Sequence, residues 1–338
     1  MLKLAAKIII YILCAIVIAL SYLIYLFLHT PIHISNKEEL VINRGATIGQ
    51  IAHQLENKKI IKSARILRYL AWYRGDANQI KAGEYLLEAN LTPNEFLQKI
   101  VDGHVRQYSF TIIEGWKLSQ VLTALQNTTK ISHTINKNAD ISFIIEGMVW
   151  PDTYFYTAGT SDVELLQRAY KIMQIKLQQE WDCRDKSTLR LKDPIDAVTL
   201  ASILEKETSV PSEYYQMSGV FQRRLEKNML LQADPTVIYA LNKALDFKVT
   251  VNKIDLSIDS PYNTYKYLGL PPTPIAIPSF KALHAALHPT TGDTLYFVAD
   301  GKGGHIFSAT LDEHNNAVAE YKKKLRMFQE AAAVSKSE

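Results

Sequence analysis

Residues 193–208 read DPIDAVTLASILEKET, and this stretch organises the larger part of the chain. Asp193 followed by Pro194 is a helix opening, and neither glycine nor proline interrupts the run from Ile195 to Thr208. Leu200, Ile203, Leu204 and Glu207 fall at i, i+3, i+4 and i+7, so they share one face of the predicted helix. Glu207 therefore stands where the next core leucine is expected. A carboxyl group held against apolar side chains is penalised in its ionised form. That raises its pKa toward the range a general acid needs at neutral pH. The competing reading is a buried carboxylate satisfied by a hydroxyl or an arginine. Glu205 lies roughly 200° around the same helix by its 3.6-residue geometry, beside Val198, Ala201 and Ser202. It cannot form a close pair with Glu207 and is read as a supporting or surface residue partnered by Lys206 or Arg223.

Working outward, polar and aromatic residues concentrate in runs bracketed by turn formers, which is where a cleft is built. Residues 146–154 read EGMVWPDTY, 231–239 read LQADPTVIY, and 260–272 read SPYNTYKYLGLPP. Asp234 is the obvious second carboxylate, although an Asp before Pro also reads as a helix N-cap. Asp152 follows Pro151 in a similar turn. Tyr262, Asn263, Tyr265, Trp150 and Tyr154 can offer ring faces and amides to a sugar, and aromatics in such loops equally often pack; both readings stay open. Further on, Thr294 to Ala299 and His305 to Ala309 read as strands around Asp300-Gly301-Lys302-Gly303-Gly304, a glycine-rich hairpin. From Val318 a basic amphipathic helix is expected, ending in a polar tail.

Toward the N-terminus, residues 39–125 carry a weak internal repeat. Gly45-Ala46-Thr47-Ile48-Gly49-Gln50-Ile51 aligns with Gly115-Trp116-Lys117-Leu118-Ser119-Gln120-Val121, each after strand-like residues. Both predict strand, glycine turn, short helix. Thr47 and Gln50 form a capping box ahead of the apolar spacing Ile48, Ile51, Ala52, Leu55. Another helix opens with Thr92 as N-cap, Pro93 first and Glu95 closing the box, and Gly103 lies past its end. Tyr108 to Ile113 reads as a strand, with a soft boundary near 105. Before all this, Ile8 to Leu28 is an apolar run of 21 residues, long enough to span a bilayer. It ends in Phe27-Leu28-His29-Thr30-Pro31, without a small-x-small cleavage site, and so reads as an anchor. Lys3 and Lys7 precede it, which places the N-terminus in the cytoplasm and the rest outside.

The 338 residues, 47% hydrophobic and 21% charged, suit about two globular domains with a membrane segment. A net charge of +4 without a basic block gives no sign of a nucleic-acid partner. Cys14 and Cys183 lie in an apolar run and a polar stretch, so no disulfide between them is expected. The chain has no H-E-x-x-H, G-x-S-x-G, cysteine–histidine cluster, phosphate loop or dinucleotide fingerprint. Metal, serine-hydrolase and nucleotide chemistry thereby lose ground to a carboxylate.

The runs at 203–208, 231–239, 262–272 and 296–305 together resemble the YceG-like (MltG) endolytic murein transglycosylases, along nearly the whole chain. The resemblance implies an α+β protein with an N-terminal transmembrane anchor (1–30), a small LysM-like α/β module (39–104), a mixed α+β catalytic domain (105–330) and a polar tail (331–338). It implies a lyase that cuts the MurNAc–GlcNAc bond of nascent peptidoglycan strands, leaves 1,6-anhydro-MurNAc ends and limits strand length. The second acid of Glu205-Lys206-Glu207-Thr208 matches the family's catalytic glutamate, in agreement with the face argument. Gln232, Asp234, Thr236, Tyr262, Asn263, Trp150 and Asp152 are the candidate sugar-binding residues, with Glu205 supporting. No cofactor or metal is implied. The expected location is the cell inner membrane with the catalytic domain periplasmic, and a peptidoglycan synthase is a candidate partner on functional logic. Ser209-Val210-Pro211-Ser212 departs from the expected continuation and puts the helix end in question. A two-carboxylate glycoside hydrolase and a non-catalytic peptidoglycan-binding scaffold are the alternatives.

Overall fold

The computed structural model describes residues 2–31, 38–43, 45–89, 91–135, 141–186, 189–241, 252 and 254–334. The chain is α+β. Its helices are α1 (Leu2–His29), α2 (Ile48–Asn57), α3 (Ala64–Tyr73), α4 (Pro93–Asp102), α5 (Leu118–Gln126), α6 (Asp162–Asp182), α7 (Pro194–Glu207), α8 (Tyr214–Glu226), α9 (Asp234–Ala240), α10 (Phe280–Leu287) and α11 (Leu311–Val334). Its strands are β1 (Glu38–Ile42), β2 (Gly83–Leu87), β3 (Gln107–Thr111), β4 (Thr153–Thr157), β5 (Tyr296–Ala299) and β6 (His305–Ser308), paired as β1–β2, β3–β4 and β5–β6. The chain divides into two compact units: residues 1–108 with 130–132 and 155–160, and residues 109–129, 133–154 and 161–338.

In the first unit, α1 carries one stretch long and apolar enough to cross a membrane, Lys7–Phe27, with a mean hydropathy of 2.7 and none of it buried. β1 and β2 pair antiparallel with Leu40 opposite Tyr85, and both side chains are fully buried. Ile48, Ile51, Ala52 and Leu55 of α2 complete one side of that core, as their spacing predicts, and Phe96, Leu97 and Ile100 of α4 add another. Both predicted capping boxes form: the Thr47 and Thr92 hydroxyls accept from the Gln50 and Glu95 N–H groups, whose side chains bond back. Gly45 (φ 80°) and Gly115 (φ 75°) both occupy the left-handed region, so the repeated glycine serves the same turn in each copy.

The second unit is built around α7. Asp193 accepts from the Asp196 N–H as N-cap, with Pro194 first. Every residue from Ala197 to Leu204 is buried, so the helix hides its Val198–Ala201–Ser202 side as well as the expected Leu200–Ile203–Leu204 face. Helix α10 packs against α7, and α6, α8 and α9 also touch it. Small residues permit this, and the Ser202 hydroxyl satisfies itself by donating to Thr199 O (2.7 Å) and accepting from Ile275 N (3.0 Å). The helix ends at Glu207. Thr208 is extended, and a 3-10 turn, Pro211–Glu213, leads into α8. Proline disfavours a helical predecessor and so starts the new element. The Asp300–Gly304 hairpin forms with Phe297 opposite Phe307. The last helix begins at Leu311, earlier than the expected Val318, because Thr310 and Glu313 provide its start: Glu313 accepts from the N–H groups of Ala309 (2.9 Å) and Thr310 (3.2 Å). Of the polar tail, 335–338 lie outside the described residues. Both cysteines are free.

Candidate active site

The end of α7 opens into a cavity of about 440 Å³ bordered by Glu207, Arg224, Gln232, Asp234, Tyr265, Phe297, His305 and His314. α7, α8, α9, the loop before α10, the β5–β6 hairpin and α11 each contribute. Glu207 borders this space with its Oε2 wholly buried, and among the described residues nothing donates a hydrogen bond to that oxygen. Burial pushes its carboxyl up to about 8, the nearby charge of Asp234 adds to the rise, and Arg224 opposes it. The group is thus mostly protonated at neutral pH. His314 Nδ1, on the wall of the same cavity, is also buried without a partner among the described residues. Two orphaned polar atoms in one cavity mark it as the place a polar ligand fits, since buried polar groups are otherwise paired.

Asp234 is the first residue of α9, and the N-cap is Ala233, so the expected capping role is corrected. Released from that duty, the Asp234 carboxylate accepts from the Tyr265 hydroxyl at 2.5 Å inside the cavity. Gln232 has φ 53°, a left-handed conformation rare for a side-chain-bearing residue and common at ligand sites. Its N–H donates to Thr264 O (3.1 Å), and its Oε1 accepts from Arg224 Nη1 (3.4 Å). Arg224 also donates to the carbonyls of Leu230, Leu231 and Leu295, which ties the turn before α9 to the hairpin. His305 is oriented by Glu213, whose carboxylate takes its N–H (2.8 Å), its Nδ1 (2.8 Å) and the Thr208 hydroxyl (2.9 Å). Burial acts upward on Glu213, but those bonds hold its carboxyl below the usual range, so the pair spans from the end of α7 to the hairpin.

Other expected site residues stand elsewhere. Asn263 is fully buried; its Nδ2 donates to Leu256 O (3.0 Å) and Ile258 O (2.8 Å), and its Oδ1 accepts from Tyr265 N (3.0 Å). Its amide shapes the loop that carries Tyr265 and does not line the cavity. Thr236 is also fully buried, donating to Ala233 O (2.7 Å) beside the Thr264 hydroxyl (2.9 Å). Tyr262 packs on Tyr239, ring centroids 4.9 Å apart, and shares a 2.7 Å hydrogen bond with Thr273. Trp150 sits edge-on to Phe280 at 6.2 Å, and the exposed Asp152 accepts from its neighbour Thr153 N (2.6 Å). Glu205 accepts from Ser279 N (2.9 Å), anchoring the start of α10. The Arg223 partner expected for it instead donates to Thr290 O (2.9 Å) and Thr294. Arg224, His305 and His314 escaped the sequence reading as site residues. Arg224 was accessible to the same rule that marked Glu207, since it follows Val220 and Phe221 at i+4 and i+3 on a buried face.

The model of the YceG-like family matches residues 40–320. A Bacillus subtilis (strain 168) protein named endolytic murein transglycosylase is 33% identical over 323 residues, covering 86% of this chain and 87% of the relative. A Streptococcus pneumoniae (serotype 2, strain D39) protein of the same name is 27% identical over 334 residues, covering 86% of this chain and 60% of the relative. The crystal structure of a YceG-like protein from Listeria monocytogenes is 30% identical, with a TM-score of 0.49, covering 83% of this chain and 99% of that one.

Proposed function

The chain belongs to the YceG-like family, and on that footing we propose that it is an endolytic murein transglycosylase with Glu207 as the single acid and base. The observation that carries this reading is the orphaned Oε2 of a carboxyl pushed up to about 8 in a cavity wide enough for sugar. Protonated Glu207 donates to the glycosidic oxygen, and the bond from that oxygen to the muramyl C1 breaks. The muramyl C6 hydroxyl then attacks C1, closing the 1,6-anhydro ring, and its proton returns to the Glu207 carboxylate. No water is consumed and the acid is regenerated. Holding the sugar for intramolecular attack supplies much of the acceleration. Gln232, Asp234 and Tyr265 are placed to do so.

A second reading gains support from Asp234, which shares the cavity with Glu207: a hydrolase in which Asp234 directs water. That Glu205 points away from Glu207 does not exclude this chemistry, because α9 brings Asp234 to the same cavity. Product ends separate the two. Detergent-solubilised protein incubated with nascent uncrosslinked strands is expected to leave anhydro-muramyl ends by mass spectrometry, and its Glu207→Gln variant none. Reducing ends would establish the hydrolase.

In this proposal residues 1–30 anchor the protein in the cytoplasmic membrane with the N-terminus inside. Residues 39–104 form a LysM-like module and 105–330 the catalytic domain, working on the outer face of that membrane. The exposed α1 and the family relationship support the arrangement. A synthase delivering new strands is the fitting partner.

A further inference from the structure

Away from the cavity, the C-terminal ends of α6 and α10 meet. Cys183 caps α6, His288 caps α10, and the Asp185 N–H donates to Leu287 O (3.3 Å) between them. Helix C-termini present unpaired carbonyls and the negative end of the helix dipole, an environment that favours a cation. Into it project Glu180, His284 and His288, all half-buried, with one ligand atom from each within 4.8 Å of the others.

The imidazoles lie parallel at i and i+4, centroids 4.1 Å apart and planes 16° from each other. His284 Nδ1 is fixed by the Tyr215 hydroxyl (3.1 Å), and its Nε2 faces Glu180 Oε2 at 4.0 Å. That hydroxyl is the outer partner that orients a ligating histidine. His288 has a carbonyl oxygen against each nitrogen: His284 O at 3.0 Å from Nδ1 and Cys183 O at 3.1 Å from Nε2. A neutral imidazole carries one N–H and so satisfies only one of them. With the proton on Nδ1, the Nε2 lone pair and Cys183 O converge on one space, a mismatch that a cation resolves.

We infer that Glu180, His284 and His288 form a site for one borderline divalent cation of the Zn²⁺ class, which fastens the end of α6 to the end of α10. Imidazoles with one carboxylate suit zinc and its neighbours rather than magnesium or calcium. Tetrahedral zinc holds ligand atoms roughly 3.3–3.5 Å apart, so closing from the present spacing takes about an ångström of side-chain rotation. The ion is structural: α10 packs directly on α7, so stapling α10 stiffens the support of Glu207 without touching the reacting sugar.

The test uses full-length protein in detergent, stripped with a chelator and titrated with Zn²⁺, with stoichiometry read by a competing chromogenic chelator and stability by thermal unfolding. One ion per chain and a midpoint raised by several degrees are expected. Co²⁺ in its place should give the intense visible absorption of a low-coordinate site. Glu180→Gln and His288→Asn should each weaken binding by about tenfold or more and abolish the shift, by analogy with the sensitivity of metal sites to their surroundings. Should His288→Asn fail to fold, Glu180→Gln, which leaves the stacked pair and both helix caps in place, carries the test. A midpoint unmoved by Zn²⁺, or equal binding by the Glu180→Gln variant, would overturn the site; retention of binding there would point to His305 and His314 in the other cavity.

Discussion

Glu146 and Glu207 lie in the same compact unit, and burial pushes the carboxyl of each above its ordinary range. Their surroundings differ. Glu146 Oε1 takes the Leu118 N–H (2.7 Å) at the first turn of α5, and its Oε2 takes the Tyr239 hydroxyl (3.3 Å), with the Lys117 cation nearby. Glu207 meets Asp234 instead, and its Oε2 accepts nothing among the described residues. Burial therefore does not distinguish a structural acid from a reactive one; unfilled hydrogen-bonding capacity facing a cavity does.

The largest test of that distinction is Glu207→Gln, which should lower the rate of strand cleavage by about 10³-fold, within the 10²–10⁴ range typical of removing a general acid, with the fold unchanged by circular dichroism. Glu146→Ala should do the reverse. It strands the Leu118 N–H and takes one of its partners from the Tyr239 hydroxyl, costing about 1–3 kcal/mol of stability in denaturant titration, while turnover per folded molecule stays within about tenfold. A folded Glu146→Ala protein without activity would break the comparison.

The same contrast has a pH signature. Glu207 titrates at about 8 in the folded chain and near 4.5 when unfolded, so folding favours its protonated form. Below about pH 4.5 the carboxyl is protonated in both states and its ionisation adds no penalty to folding. As pH rises from there to about 8, the unfolded chain ionises first, and stability falls by at most about 1.4 kcal/mol per pH unit. Glu207→Gln removes this slope, so the variant should gain on the parent across that window in paired melts. Parallel curves would mean that the carboxyl is not held neutral.

Legibility followed the range of the interaction that places each residue. The capping boxes at Thr47 and Thr92 and the helix start at Asp193 depend on neighbours within a turn, and the structure shows them as read. The cavity did not have that property. Asp234 and Gln232 enter it because Thr264, some thirty positions on, accepts from Gln232 N and Ala233 N; nothing local announces that clamp. Thr236 and Asn263 are the exceptions to range: their polar groups looked available in sequence, yet burial spends them on nearby backbone, the carbonyls of Ala233, Leu256 and Ile258.

Asn263 provides the next test, smaller because it acts through the loop. Asn263→Ala removes two donated bonds and one accepted bond, so a loss of about 1–3 kcal/mol is expected, with sugar cleavage per folded molecule reduced only as far as Tyr265 shifts. Retained stability together with abolished turnover would return Asn263 to the substrate side of the comparison.

Gln232 is the subtler partner. Its side chain is exposed to the cavity, its backbone is held at φ 53° by the bond to Thr264, and among the described residues its amide reaches only Arg224, weakly, at 3.4 Å. A residue kept in a disfavoured conformation with a loosely engaged amide is arranged for an incoming partner. Gln232→Ala leaves the left-handed backbone in place and removes only that amide. Stability should therefore change little, and cleavage should fall by about tenfold, the worth of one hydrogen bond to a bound sugar. If KM rises while kcat holds, Gln232 binds ground state and transition state alike; if kcat falls with KM unchanged, its amide grips the sugar only as the ring distorts.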